Sequence, residues 1–302
     1  MTGAAASRSD AALPWPGLAL ALAGSIAFSG KAIIVKLAYR HGVDAVTLIM
    51  YRMLFALPLF VVLSWWASRG KPALEPRDRW AVLGLGFCGY YLASLLDFVG
   101  LQYLSASLER LILYLTPTLV LLLGALIFKR PIGWRQLLAL AVGYAGALIV
   151  FGHELHLQGA QVALGAALVA GSMVSYAVYL LFSGEVVQRV GSLRLTGLAT
   201  SVACLCCIAH WLVARPLATA QVADAVLWLS LLNATACTFA PVLMVMMAIE
   251  RIGAALTAQV GMIGPLSTIG MGVLLLGEPF TGWLVAGTAC VLAGVWLLAR
   301  WR

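Results

Sequence analysis

Residues 106–146, ASLERLILYLTPTLVLLLGALIFKRPIGWRQLLALAVGYAG, return 148 positions later as residues 254–294, AALTAQVGMIGPLSTIGMGVLLLGEPFTGWLVAGTACVLAG, with no gap. The shift sets Ala106 on Ala254, Leu108 on Leu256, Pro117 on Pro265, Gly124 on Gly272, Leu126 on Leu274, Pro131 on Pro279, Ala141 on Ala289, Ala145 on Ala293 and Gly146 on Gly294. It also pairs Gly17 with Gly165 and Phe28 with Tyr176. A shared bias toward Ala and Leu does not hold two prolines and the glycines in register, so the chain is a duplication.

The repeated unit is made of apolar runs, and so is the rest of the chain. Of 302 residues 63% are hydrophobic and 10% charged, against roughly 45–50% and ~25% in soluble proteins. With a mean hydropathy of +1.01, lipid is the expected solvent. The net charge of +8 is scattered over short intervals and forms no basic face, which argues against a nucleic-acid partner. Ten runs approach the ~20 residues needed to cross hydrocarbon: 17–38, 44–66, 80–102, 106–128, 133–151, 162–183, 193–213, 225–248, 254–276 and 280–299. They are continuously apolar and not alternating, so they read as helices and not as barrel strands.

The expected fold is therefore an all-α integral membrane protein of ten helices. Residues 1–16 read as a cytoplasmic tail, 17–152 as the first five-helix repeat, 153–161 as an external linker and 162–302 as the second repeat. Five spans per unit is an odd number, so the second copy enters the membrane from the side opposite the first, and the repeats are inverted. With the N-terminus inside, the inner segments carry Arg8, Arg69, Lys71, Arg77, Arg79, Lys129, Arg130, Arg135, Arg189, Arg194, Arg251, Arg300 and Arg302, while the outer loops carry Arg40 and Arg215 alone. That bias places both termini in the cytoplasm.

The pattern resembles the drug/metabolite transporter superfamily, in particular its EamA family, over nearly the whole chain from Gly17 to Arg300. The resemblance is carried by FSGKAIIVKLAYRHGVDAVTLIMYR at Phe28–Arg52, by the Gly100–Leu140 stretch that contains the first copy quoted above, and by Ala248–Leu298 with its GEP at Gly277–Pro279. Where the second copy has Gly277 and Glu278, the first has Lys129 and Arg130, a departure from the family pattern. The resemblance implies ten helices and solute transport, often export of amino acids or other metabolites.

Ionisable residues inside spans cost ~2.5–3.5 kcal/mol each on insertion scales and so point inward or at a partner. Here they are Lys31, Lys36, Arg52, Asp97, Glu109 and Arg110, an excess of cations that would attract an anionic group. The second copy lacks them: Lys31 faces Tyr179, Asp97 Val245, Glu109 Thr257 and Arg110 Ala258 in the alignment. Hydroxyls at helical spacing extend the polar seam through Tyr90, Ser94 and Asp97, through Ser172, Tyr176, Tyr179 and Ser183, and through Arg110, Tyr114 and Pro117. Lys31, Arg52, Tyr90, Ser94, Arg110, Tyr114, Tyr176, Tyr179 and Gln259 are the expected solute ligands. Asp97 and Glu109 are the expected proton carriers, and Pro117 and Pro265 the expected hinges.

Other chemistry is thin. Cys204, Cys206, Cys207 and His210 have a spacing that a soft metal could use, but thiols as small apolar residues account for them, and no metal or cofactor is expected. The HELH at His153–His156 lacks the spacing of HExxH and is expected in a loop, and no GxxxxGK[ST] occurs. The expected function is secondary active export of a small anion-bearing solute such as an amino acid, from a bacterial inner membrane, with no enzyme activity; the sequence leaves the oligomeric state open, a monomer being compatible with it. The rivals are efflux of lipophilic compounds and, behind it, a lipid-modifying membrane enzyme.

Overall fold

A computed structural model describes residues 15–129, 131–261 and 263–300, and only the backbone at 157–158, 246, 250, 253–256 and 258–259. The N-terminal tail thus lies outside the described residues, as do Arg130 and the side chain of Gln259. The described chain is helical: α1 Trp15–Tyr39, α2 Ala45–Ser68, α3 Pro76–Gly100, α4 Ala106–Phe128, α5 Trp134–Gln158, α6 Gln161–Val190, α7 Ser192–Ala214, α8 Asp224–Ile249, α9 Ile263–Leu276 and α10 Gly282–Arg300.

Each helix closes its own backbone hydrogen bonds, as an apolar solvent requires, and polar residues start several of them. Asp44 caps α2 by accepting from Val46 N at 3.0 Å and Thr47 N at 3.2 Å. Ser105 caps α4 by accepting from Leu108 N at 3.0 Å, and Pro76 opens α3, where its missing N–H costs nothing.

The ten expected helices are present, and nine of them are long and apolar enough to cross a membrane among the described residues. The exception is α9, which is described from Ile263 on, residue 262 lying outside the described residues; helical turns are described from Ala240 to Gly261 before it. Gly17 nevertheless packs on Ile252 and Ser25 lies beside Gly261, so the chain doubles back along α1 between those points.

The two copies are related by inversion. Corresponding helices α5 and α10 lie antiparallel in close contact, Gly146 against Gly287 and Gly294 against Gly143; a Cβ on Gly146 would fall 2.5 Å from the Gly287 carbonyl oxygen. Corresponding helices α2 and α7 do the same, with Gly197 on Ser64 and Trp211 Nε1 donating to Thr47 Oγ1 at 3.1 Å. The remaining helices cross over: α1 of the first copy packs on α8 and α9 of the second, and α6 of the second packs on α3 and α4 of the first. Neither copy buries its faces alone.

Two local departures from α-geometry fall at matching places. A π-helical turn occupies Phe87–Leu92 in α3 and another occupies Thr235–Phe239 in α8, and the repeat offset of 148 carries the first onto the second. Such turns insert one residue and redirect the side chains beyond them. In α4 the α-helix is interrupted at Leu115, just before Thr116 and Pro117. The expected face shared by Arg110, Tyr114 and Pro117 is broken there: Pro117 lies beside Gly124, Leu181 and Leu298, away from Arg110.

The HELH segment is not in a loop. Helix α5 runs through it to Gln158, leaving a connection of Gly159 and Ala160. Glu154 accepts hydrogen bonds from the Ser105 hydroxyl and backbone N–H, and the His153 ring lies 6.0 Å from that of Trp283. These contacts fasten α5 to the start of α4 and to α10.

Candidate solute-binding cavity

The charged residues of α1, α3 and α4 meet inside the bundle. Lys31 Nζ lies 2.5 Å from Asp97 Oδ2 and 3.2 Å from Glu109 Oε1. Glu109 is fully buried and Asp97 is 2% exposed. Lys31 is the only ammonium paired with these two carboxylates among the described residues. Asp97 Oδ1 and the Glu109 oxygens find no hydrogen-bond donor there. Buried acceptors left unsatisfied are costly.

Arg52 and Arg110 reach across to the second copy. Arg52 Nε donates to Thr238 Oγ1 at 3.1 Å, and its guanidinium carbon stands 5.1 Å from the centre of the Phe98 ring. Thr238 belongs to the π-helical turn of α8 and donates back to the Asn233 carbonyl at 2.8 Å, so that turn aims the hydroxyl at Arg52. Arg52 Nη1 is buried and has no partner. Arg110 Nη2 donates to Ser29 Oγ at 2.9 Å and its Nε to Thr268 Oγ1 at 3.1 Å. Lys36, counted in the cation excess from the sequence, sits apart: its ammonium donates to the Leu101 and Leu104 carbonyls at 3.2 and 2.9 Å. The interior group is therefore three cations with two carboxylates.

A cavity of about 220 Å³ opens on this group. Lys31, Arg52, Tyr90, Ser94, Asp97, Arg110 and Tyr176, all anticipated, line it. Tyr179 lines a second space of about 260 Å³ that shares Phe28, Tyr90, Tyr176 and Val242 with the first and continues to Val187, Ser192 and Thr196. That end of the bundle carries the Lys/Arg-rich loops: Gly191 lies against Lys71, and Arg194 donates to the Pro72 carbonyl. Glu109 stands behind Lys31 and not on the cavity wall. Tyr114 lines neither space, although it stands one turn from Arg110 on the same unbroken stretch Ala106–Tyr114; Leu113 lines the first space instead.

Several wall residues were not anticipated. Phe60, Thr200 and Thr238 read in the sequence as ordinary apolar or hydroxyl positions, and only the fold brings them to the cavity. Gly89, in the π-helical turn of α3, leaves the space filled by the Tyr179 ring. The Tyr179 ring stacks on Tyr176 at 5.5 Å and meets Tyr90 edge-on at 5.1 Å, and the Tyr90 and Tyr179 hydroxyls are 3.3 Å apart. The two matched turns have thus diverged, one presenting a hydroxyl to a guanidinium and the other seating a tyrosine. His210 faces the Tyr91 hydroxyl at 3.0 Å.

Comparison with known proteins agrees with this architecture. The model of the EamA-like transporter family matches residues 15–152 and again residues 163–300. The uncharacterized transporter YcbK of Bacillus subtilis (strain 168) is 31% identical over 268 residues, covering 87% of this chain and 86% of its own. A second protein of that organism, the uncharacterized transporter YetK, is 22% identical over 134 residues, or 44% of this chain and 41% of its own. One solved crystal structure, 16% identical, superposes with a TM-score of 0.64 over 95% of this chain and 99% of that one, a likeness of fold.

Proposed function

Because the chain belongs to the EamA-like transporter family, and is a transporter and not an enzyme, we propose that it exports a small solute bearing a carboxylate or similar anion, such as an amino acid. The observation that carries this reading is the unpartnered Nη1 of Arg52 at the wall of a buried cavity. Three cations against two carboxylates leave one positive charge in a region of low dielectric. A guanidinium there gains a charge-assisted hydrogen bond when an anion arrives.

Transport proceeds by alternating access between the halves, residues 17–152 and 162–302, whose inverted relation supplies two similar packings open to opposite sides. Pro117, beside the interruption at Leu115, and its counterpart Pro265 serve as hinges. Protons drive the cycle through the Asp97–Lys31–Glu109 group, since a proton taken up by either carboxylate frees Lys31 to pair with the other. The termini face the cytoplasm of a bacterial inner membrane, as the Lys/Arg distribution favours.

Reconstituted protein in liposomes tests the reading. Counterflow is measured for amino acids, organic acids and cationic dyes, with pH gradients imposed in each direction. Saturable flux of anion-bearing solutes, abolished by Arg52→Gln, is the expected result. Saturable flux of the dyes alone would transfer the chain to efflux of lipophilic compounds, for which the aromatic wall of Phe28, Tyr90, Tyr176 and Tyr179 would be the binding surface. Unaltered proton exchange by both Asp97→Asn and Glu109→Gln would refute the coupling.

A further inference from the structure

We propose that Glu278 is a latch that holds the bundle shut at the face opposite the Lys/Arg-rich loops, so that the solute-free protein rests with its cavity open toward the Lys/Arg-rich face. The inference rests on the alternating-access reading above but not on the identity of the solute.

The latch is built at the end of α9. Gly277, at φ 73°, turns the chain left-handed, and the Glu278 N–H donates back to the Gly272 carbonyl at 3.1 Å. This turn sends the Glu278 carboxylate out of the second copy and onto the first. There it accepts from Ala106 N at 2.7 Å, Ser107 N at 3.2 Å and Ser107 Oγ at 2.6 Å. These amides open α4, so their N–H groups have no partner within the helix and carry the positive end of its dipole. Gly272 leaves the seat for the carboxylate, since a Cβ there would lie 2.8 Å from Glu278 Oε2. Nearby, Arg40 Nη2 donates to the Leu276 carbonyl at 2.7 Å and ties the end of α1 to the same turn. One helical turn further on, α4 carries Glu109 and Arg110. Any opening of the cavity to this face must draw α4 away from α9 and break the carboxylate's hydrogen bonds.

Inversion predicts a mirror-image latch at the other face, and the sequence denies it. Lys129, the counterpart of Gly277, keeps the left-handed turn at φ 52°. The position matching Glu278 is Arg130, and those matching Ala106 and Ser107 are Ala254 and Ala255. A guanidinium repels the positive end of a helix where a carboxylate is held by it, and alanine offers no hydroxyl. The two packings that inversion makes similar are thereby made unequal, and the closed face is the one with the carboxylate. The cavities bear on this: from Arg52 the space continues past Tyr179 toward Ser192, whereas on the Glu278 side a separate vestibule of about 690 Å³, lined by Lys36, Arg40 and Glu278, is divided from it by the Asp97–Lys31–Glu109 group.

Amide hydrogen exchange on the full chain in lipid nanodiscs, with no solute present, tests the latch. Glu278→Gln is expected to speed exchange at residues 105–110 about tenfold, as loss of a charged cap releases those amides, and to slow it at 187–197 as the opposite face closes. Ser107→Ala should act in the same direction and less. The double variant Arg130→Glu with Ala255→Ser moves a latch to the other face and is expected to slow exchange near 254–260 and speed it at 105–110. A Glu278→Gln protein that loosens at 105–110 with no added protection at 187–197 would make Glu278 a local helix cap and overturn the proposal, as would a double variant with unchanged exchange at both faces. Should Glu278→Gln fail to fold, the double variant still decides. Absence of transport in the liposome assay would leave these exchange results intact, so failure of the two readings is distinguishable.

Discussion

Lys31 and Asp97 meet at 2.5 Å across the contact of α1 and α3, with side chains 10% and 3% exposed, and Glu109 shares the same ammonium at 3.2 Å. Lys31 therefore stands between two buried carboxylates that would otherwise face each other alone.

Removing the ammonium strands both acids. Lys31→Met is expected to destabilise the protein by about 3–5 kcal/mol, the cost of breaking a buried pair from one side. Glu109→Gln, which leaves the Lys31–Asp97 contact intact, should cost much less. Thermal unfolding in detergent is the measurement. Adding Asp97→Asn and Glu109→Gln to Lys31→Met should restore most of the loss, and a triple variant no more stable than Lys31→Met would show that the charges are not the cause.

Arg52 is held by Thr238, and the hold has a kinetic signature. Thr238→Val removes the acceptor for Arg52 Nε and is expected to raise KM for an anionic solute about tenfold, the worth of one charge-assisted hydrogen bond, while kcat changes little. Thr238→Ser should behave as the parent. Arg52→Lys keeps the charge but not the planar fork and should raise KM at least as much. A KM unmoved by both Thr238→Val and Arg52→Lys would detach the solute from this guanidinium.

At Gly89 the Tyr179 ring occupies the place of a side chain. Gly89→Ala is expected to destabilise by about 1–3 kcal/mol through overpacking, and Tyr179→Ala in the same protein should recover part of it. Paired unfolding measurements on the single and double variants give the coupling; additive effects would mean that the ring moves aside freely.

Outside the membrane-spanning segments, Asp44 joins α2 to Arg215, whose Nε lies 3.1 Å from Asp44 Oδ1. Burial alone would raise this carboxyl, but the Thr47 hydroxyl and amide together with the Arg215 guanidinium outweigh it and hold it below the usual carboxylate range. A group depressed in the folded state stabilises above its unfolded value and loses that contribution as pH falls through the folded one. Asp44→Asn, which keeps a capping oxygen, should therefore lower Tm at pH 7, and the difference should shrink as pH is taken down through and below the usual carboxylate range. A Tm difference that is constant over that range would refute the charge argument.

The positions of Lys31, Arg52, Asp97 and Arg110 on one cavity were legible in the sequence because charge inside an apolar run has few other places to go. Tyr114 is not on the cavity although it stands one turn from Arg110, since sharing a helix stripe does not say which side chain the neighbouring helices leave facing the space, and there it is Leu113. Pro117 falls off the stripe, and nothing in LYLTPT states that the helix is interrupted two residues before the proline. The π-helical turns had no signal in either copy taken alone, since FCGYYL and TACTF share no residue type at matching positions. Only the common offset relates them.

Span-scale apolarity and a repeat with an odd number of spans determined, with no structure at all, that this chain is a helical membrane protein made of two inverted copies, because those properties depend on the solvent and on counting. The tertiary structure decided which guanidinium keeps an unpaired nitrogen, that Thr238 holds Arg52, and that Glu278 closes on Ala106 and Ser107. Each of those contacts joins residues more than a hundred and fifty positions apart, and a pattern read along one helix carries no information about which face of a distant helix will meet it.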